Sequence, residues 1–308
     1  MVTSADQKVL VNSQQSLYLA IAGIKIAMRC VQPELRLGSD GAIAKFLIAE
    51  TNAEVNITIE WRDKFTESNG QLLFDSGGVW QLYEDGDRLR YQFSSPVFGS
   101  SPYKVALFDR SFTEGYVYLR HDCFPDLHPI YPLEYPLDEL LIMNLLANGR
   151  GAELHACGLV DNGFGYLFIG HSGAGKTTTA RLWMEQGDVE VLSDDRIILC
   201  EHENRIWMYG TPWHGEAELA LSARAPLVRV FFISHGKDNE IKPLSISEAV
   251  AHFFACGFPP FHSAAGLNFT LAFFERLACT LPCYQLKFMP DNSAVMFLRN
   301  CLAQGEAN

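Results

Sequence analysis

The chain has 308 residues, 48% of them hydrophobic and 19% charged, with a formal net charge of −12. That length suits about two domains with sizeable cores, and the composition argues against long disorder. The acidic balance, with no Lys/Arg run, repels a phosphate backbone overall and argues against a nucleic-acid partner.

Leu17 to Met28 is the most apolar N-terminal stretch and contains Lys25. It is too short for a membrane span and lacks the basic start and cleavage site of a signal peptide, so no membrane partner is expected. It reads as one or two strands interrupted at Gly23. Val55, Ile57, Ile59 and Trp61 then alternate with Asn56, Thr58 and Glu60, a period of two. Val79 to Tyr83 and Leu89 to Phe93 form a hairpin pattern around Asp85-Gly86. Lys104 to Phe108 and Tyr116 to Leu119 add two strands. Residues 1 to about 125 therefore read as an antiparallel β-rich domain without a catalytic motif.

The segment His121 to Pro136 carries Pro125, Pro129, Pro132 and Pro136 and is the expected boundary. The division is drawn as a β-rich domain over 1–130, for substrate or partner recognition, and a second domain over 131–308. His121, Asp122, Cys123 and His128 match no zinc spacing and read as incidental linker residues. The eight cysteines are scattered, with no Cys-x-x-Cys, as reduced core cysteines are; a cytoplasmic location is expected.

Leu137 to Ala147 has a helical leucine stripe, and Asn148-Gly149 ends it. A strand around Leu154 to Val160 turns at Asp161-Asn162-Gly163 into the apolar run Tyr166 to Ile169. A helix from Thr177 to Gln186 follows, then a strand Val189 to Leu192. Ile197 to Cys200 and Ile206 to Tyr209 read as paired strands, Gly210 to Glu216 as a loop, and Val228 to Ile233 as a buried strand. Ser245 and Glu248 form a capping box for a helix to about Ala255. A helix over Asn268 to Cys279, a strand over Cys283 to Phe288 and a helix starting near Asp291 complete the chain.

Between the run ending at Ile169 and the helix from Thr177 lies Gly170-His171-Ser172-Gly173-Ala174-Gly175-Lys176-Thr177. This is a phosphate loop in its required strand–loop–helix setting. Its backbone N–H groups and the helix N-terminus favour phosphate. Lys176 reaches the terminal phosphates, the Thr177 hydroxyl ligates Mg²⁺, and Thr178 extends the cradle. In Ser193-Asp194-Asp195 the acid pair begins 18 residues after Lys176, at the end of the next strand. One carboxylate can serve Mg²⁺ and the other an attacking hydroxyl. Side-chain alternation means the two cannot both face the same point. His155, at the start of a strand, reads alone as a packed residue more readily than a catalyst. In Gly210-Thr-Pro-Trp-His-Gly-Glu216, Glu216 is a candidate second Mg²⁺ or substrate ligand, and Trp213 or His214 a substrate contact. Arg224 and Arg229 read as surface or helix-end residues more readily than as transition-state contacts.

His155, Gly170-x-Ser-Gly-x-Gly-Lys176-Thr177 and Leu192-Ser193-Asp194-Asp195, in that order, resemble the catalytic core of HPr kinase/phosphorylase. That core is related to the C-terminal part of the ATP-dependent phosphoenolpyruvate carboxykinases. The segment Gly210 to Glu216 resembles one in divergent HPr-kinase-like proteins, some of which act in maturation of ribosomally made peptides. The resemblance covers about 137–290. It implies an α/β phosphate-loop kinase domain, preceded here by the β-rich domain, that uses ATP and Mg²⁺ to phosphorylate a hydroxyl, a serine of a protein or peptide. It further implies Asp194 as general base, Asp195 as the metal-side carboxylate and His155 as a phosphate-side or proton-handling residue. No counterpart of the family's arginine- and proline-containing signature follows the acid pair, so a reverse phosphorylase reaction and HPr itself as substrate are not implied.

The competing reading is a nucleotide-binding regulator that uses the loop as a switch without phosphoryl transfer; a passive site has no need of a base. A GTPase would require Asn-Lys-x-Asp, and an ABC-type ATPase an apolar strand ending in Asp-Glu; neither is present. A homo-oligomer is compatible with the sequence.

Overall fold

The alternation from Val55 to Trp61 is a strand in the structure, buried at Val55, Ile57 and Ile59 and open between them. The computed structural model describes residues 15–66, 68–124 and 129–305. The chain divides into two compact units, Met1–Asp138 and Glu139–Asn308.

In the first unit the strands are β1 (Ser16–Ile21), β2 (Ile24–Cys30), β3 (Val55–Arg62), β4 (Gln71–Asp75), β5 (Trp80–Asp85), β6 (Arg88–Phe93), β7 (Lys104–Asp109) and β8 (Glu114–Arg120). They form one sheet in the order β1-β2-β3-β8-β7-β6-β5-β4. The expected antiparallel sheet is corrected here to a mixed one, because β3 runs parallel to both β2 and β8. Residues 31–54 between β2 and β3 are too many for a hairpin and long enough for a crossover. β5 and β6 turn on Gly86-Asp87, with Gly86 at positive φ (67°); Asp85 is still paired with Arg88, so the turn lies one residue on from the expected Asp85-Gly86. His121 lies edge-on to Trp61 and Asp122 pairs with Arg120, whereas His128 falls outside the described residues.

Residues 130–138 bond back to this unit. Leu37 bridges to Ile130, Tyr131 Oη donates to Asp138, and the fully buried Lys104 donates to the Glu134 carboxylate at 3.1 Å. These links tie residues 130–138 to the first unit, which ends at Asp138. Lys104 also lies 4.7 Å from the Phe93 ring centre. Burial pushes its ammonium pKa down, against the opposing pull of Glu134. The Glu134 side chain is 42% exposed and can be solvated by itself. Lys104→Met is therefore expected to be neutral or to stabilise by about 1–4 kcal/mol, whereas Lys104→Ala also leaves a cavity and lowers the melting temperature. Thermal melts of both variants check this; a Met variant as unstable as the Ala one would show the ion pair to be a net contributor.

Helix α1 (Leu137–Ala147) carries the division between the units. In the second unit follow β9 (Gly151–Asp161), β10 (Phe164–Ile169), α2 (Lys176–Met184), β11 (Val189–Ser193), β12 (Arg196–His202), β13 (Arg205–Gly210), β14 (Arg224–His235), β15 (Glu240–Pro243), α3 (Ile246–Cys256), α4 (Ala264–Thr280), β16 (Cys283–Phe288) and α5 (Asn292–Gly305). The main sheet order is β10-β9-β12-β13-β14-β16-β15, with β11 on β9 and a further pairing of β10 with β14. β10 lies between antiparallel β9 and parallel β14.

Alternation along these strands separates two cores. Leu167, Ile169, Val230 and Phe232 pack with Phe253, Phe273 and Phe274 of α3 and α4. Tyr166, Phe168, Phe231 and Ile233 pack with Trp183 of α2 and with Val295 and Leu298 of α5. Helices on both faces of the sheet leave the carboxyl ends of β10 and β14 as the open rim, where α/β sheets bind ligands. The Ser245–Glu248 capping box is formed at the start of α3. No helix among the described residues is long and apolar enough to cross a membrane.

Candidate active site

Residues 170–175 connect β10 to α2 at that rim. Gly175, the residue before α2, has φ +101°, and a Cβ there would meet the Phe288 ring at 2.6 Å, so backbone geometry and space both require glycine. Gly170 is closed in by Ala174 and Ile233. Ser172 and Gly173 are exposed on the loop, and Ala174 and Thr178 are half-buried.

Lys176 is buried, and its ammonium donates to the carbonyls of Gly170 at 2.9 Å and His171 at 3.3 Å. The side chain thus folds back over the loop, within reach of anything the loop holds. Burial lowers its pKa, opposed chiefly by the negative charge of Asp195.

The acid pair is split by the bend that joins β11 to β12. Ser193 Oγ accepts from the N–H groups of Asp195 and Arg196 and donates to Trp213 O at 3.3 Å. Thr211 Oγ1 donates to Arg196 O at 2.7 Å. Asp194, only 1% exposed, points to the loop: Thr177 Oγ1 donates to its Oδ2 at 3.3 Å. The N–H groups of Gly215 and Ala217 donate to Asp194 at 3.0 and 3.2 Å.

Asp195 points the other way. Its Oδ1 is 2.9 Å from His155 Nε2, and its Oδ2 pairs with Arg196. Burial alone would raise the Asp195 carboxyl pKa, but the His155 hydrogen bond and the Arg196 charge outweigh it and hold the pKa below its ordinary value. Arg196 stands opposite His155 in the β9–β12 ladder. Its Nε reaches Glu139 at 2.9 Å and Glu153 at 3.6 Å, and its guanidinium lies 4.3 Å from the Phe258 ring centre. One half-buried cation therefore anchors three carboxylates.

The structure brings together Lys176, Thr177, Asp194, Asp195 and His155. It does not bring in the Glu216 side chain, which is exposed; the N–H groups on either side of Glu216 are what reach Asp194. Trp213 is buried as an anchor of this loop, and His214 is exposed, its Nδ1 against Gly215 O. Arg224 donates to the Tyr209 hydroxyl and covers Trp207, and Arg229 pairs with Tyr166 in the ladder between β14 and β10. The residues that sequence reasoning missed are Arg196, Glu139, Glu153 and the Gly215 and Ala217 amides. Only Arg196 carried a signal, its place directly after the acid pair.

No protein-family model matches the chain, and no curated protein sequence does. Among solved structures, the HPr(Ser) kinase/phosphatase from Coxiella burnetii is similar to it at 12% identity and a TM-score of 0.30, covering 50% of this chain and 98% of that one.

Proposed function

We propose that the second unit is an ATP- and magnesium-dependent phosphotransferase that acts on a hydroxyl. The observation that carries this reading is the division of the acid pair: Asp194 at the Thr177 hydroxyl, Asp195 at His155. A site that only bound nucleotide would need the first and not the second.

The residues fit both absent groups. Phosphates suit the loop amides, the α2 N-terminus and Lys176. Thr177 and Asp194 offer adjacent hard oxygens, the donor type magnesium takes. When bound, the ion neutralises charge on the phosphate oxygens.

In this reading Lys176 binds and orients the terminal phosphates. Asp194 is then the metal-side carboxylate and the His155–Asp195 dyad receives the proton of the acceptor hydroxyl, the reverse of the allocation that the family resemblance implies. Arg196 fixes Asp195 with one oxygen towards His155. The resemblance supplies the acceptor class, a serine of a protein or peptide.

Lys176→Ala is expected to weaken Mg-ATP binding about 10- to 100-fold, the loss of charge-assisted hydrogen bonds to phosphate. Calorimetric titration with a non-hydrolysable analogue measures this. Equal affinity in both proteins would remove the nucleotide from the account.

A further inference from the structure

A second feature adjoins the loop. It is a crevice of about 400 Å³ between the loop, the end of β14, α3 and β16, and none of Lys176, Thr177, Asp194, Asp195 or His155 lines it. Its size falls in the range of small-molecule sites, about 300–1,000 Å³. Phe231 belongs to the α2 and α5 core and Phe232 to the opposite one. Gln285 pairs with Phe232 in the parallel ladder and so shares its face, towards α3. His252 of α3 stacks on the Phe232 ring with centroids 4.9 Å apart and planes at 26°. His235 closes the end of β14 on the loop, its Nε2 3.0 Å from Gly173 O.

These groups form an aromatic wall and one carboxamide beside a phosphate-binding loop. A carboxamide presents an acceptor and a two-proton donor side by side. A purine edge answers this pair with an exocyclic group next to a ring nitrogen, as in glutamine–adenine pairing. Stacking on aromatic rings suits a nucleobase as well. We propose that this crevice seats the purine base of the nucleotide whose phosphates the loop holds, with Gln285 reading the base edge and His252 stacking on its ring.

The inference rests on the phosphate-binding reading above and names the subsite that completes it. The acceptor hydroxyl is the rival occupant. It must reach His155 and Asp195, and neither of these lines the crevice.

The test measures binding of Mg-ATP, Mg-CTP and inorganic tripolyphosphate to the full chain and to Gln285→Leu and His252→Ala. ATP should bind about tenfold or more tighter than CTP or tripolyphosphate, the worth of one good hydrogen bond with stacking. Each variant should lose most of that preference while keeping wild-type affinity for tripolyphosphate, which also shows that the loop is intact. Variants that retain the full ATP preference would place the base elsewhere, and a wild type without any preference would leave the crevice no base to seat; either overturns the proposal. Failure of the wild type to bind tripolyphosphate would instead overturn the phosphate-loop reading, and this proposal with it.

Discussion

Asp195→Asn is expected to cut phosphoryl transfer about 10²–10⁴-fold, the usual contribution of a positioned base, while ATP affinity stays close to wild type. Asparagine keeps the size of the side chain and a hydrogen bond to His155, but it removes the charge that orients the imidazole. His155→Ala should lose a comparable factor, and the double variant little more than either single one, because groups that act as a unit are not additive. A loose phosphoryl-transfer transition state asks little of a base, so part of the loss will be positioning of the hydroxyl. Single-turnover loss of the γ-phosphoryl group from ATP, with serine-containing peptides supplied as acceptors, gives the rates. Asp195→Asn at the wild-type rate would favour the nucleotide-switch reading.

Arg196→Met should be strongly destabilising to the second unit. Arg196 is the shared cation for Asp195, Glu139 and Glu153, and the Glu153 side chain is fully buried. Methionine replaces the packing over Phe258 but leaves three carboxylates without that charge. Breaking a buried ion pair in this way costs about 3–5 kcal/mol. Denaturant unfolding of the variant measures the loss, and a cost below about 1 kcal/mol would mean that the cluster behaves like a surface one. The pH dependence carries a sign. The Asp195 pKa is depressed in the fold, so its stabilisation is present above the unfolded carboxyl value of about 3.9 and is lost as pH falls through the folded value. Arg196→Met should flatten that acid limb.

The strands of the first unit were legible wherever one face was buried, as in β3 and β8, because burial enforces the period of two. β4 and β15 were not. Both lie at sheet edges, and neither contains a fully buried residue, so no alternation marks them. Strand direction was equally hidden: Val55, Ile57 and Ile59 look the same whether β2 runs with β3 or against it. In the site, the turn from β10 into α2 was legible because its backbone requires glycine, at Gly175 through positive φ and at Gly170 through close packing. That Asp194 and Asp195 diverge followed from alternation, but which of them meets Thr177 depends on Ser193 and Thr211, whose bonds to Trp213 and Arg196 set the bend. Glu139 carried no signal, since its partner Arg196 is 57 residues away.

The division of labour between the two aspartates is tested most directly by the magnesium requirement for nucleotide binding. ATP affinity would be followed as a function of Mg²⁺ concentration in wild type, Asp194→Asn and Asp195→Asn. The expected result is that Asp194→Asn, which loses a hard oxygen beside Thr177, needs about tenfold or more Mg²⁺ to reach half-maximal binding, while Asp195→Asn follows the wild-type curve. The reverse pattern, with Asp195→Asn demanding the extra Mg²⁺ and Asp194→Asn unaffected, would contradict the account and return the metal to Asp195.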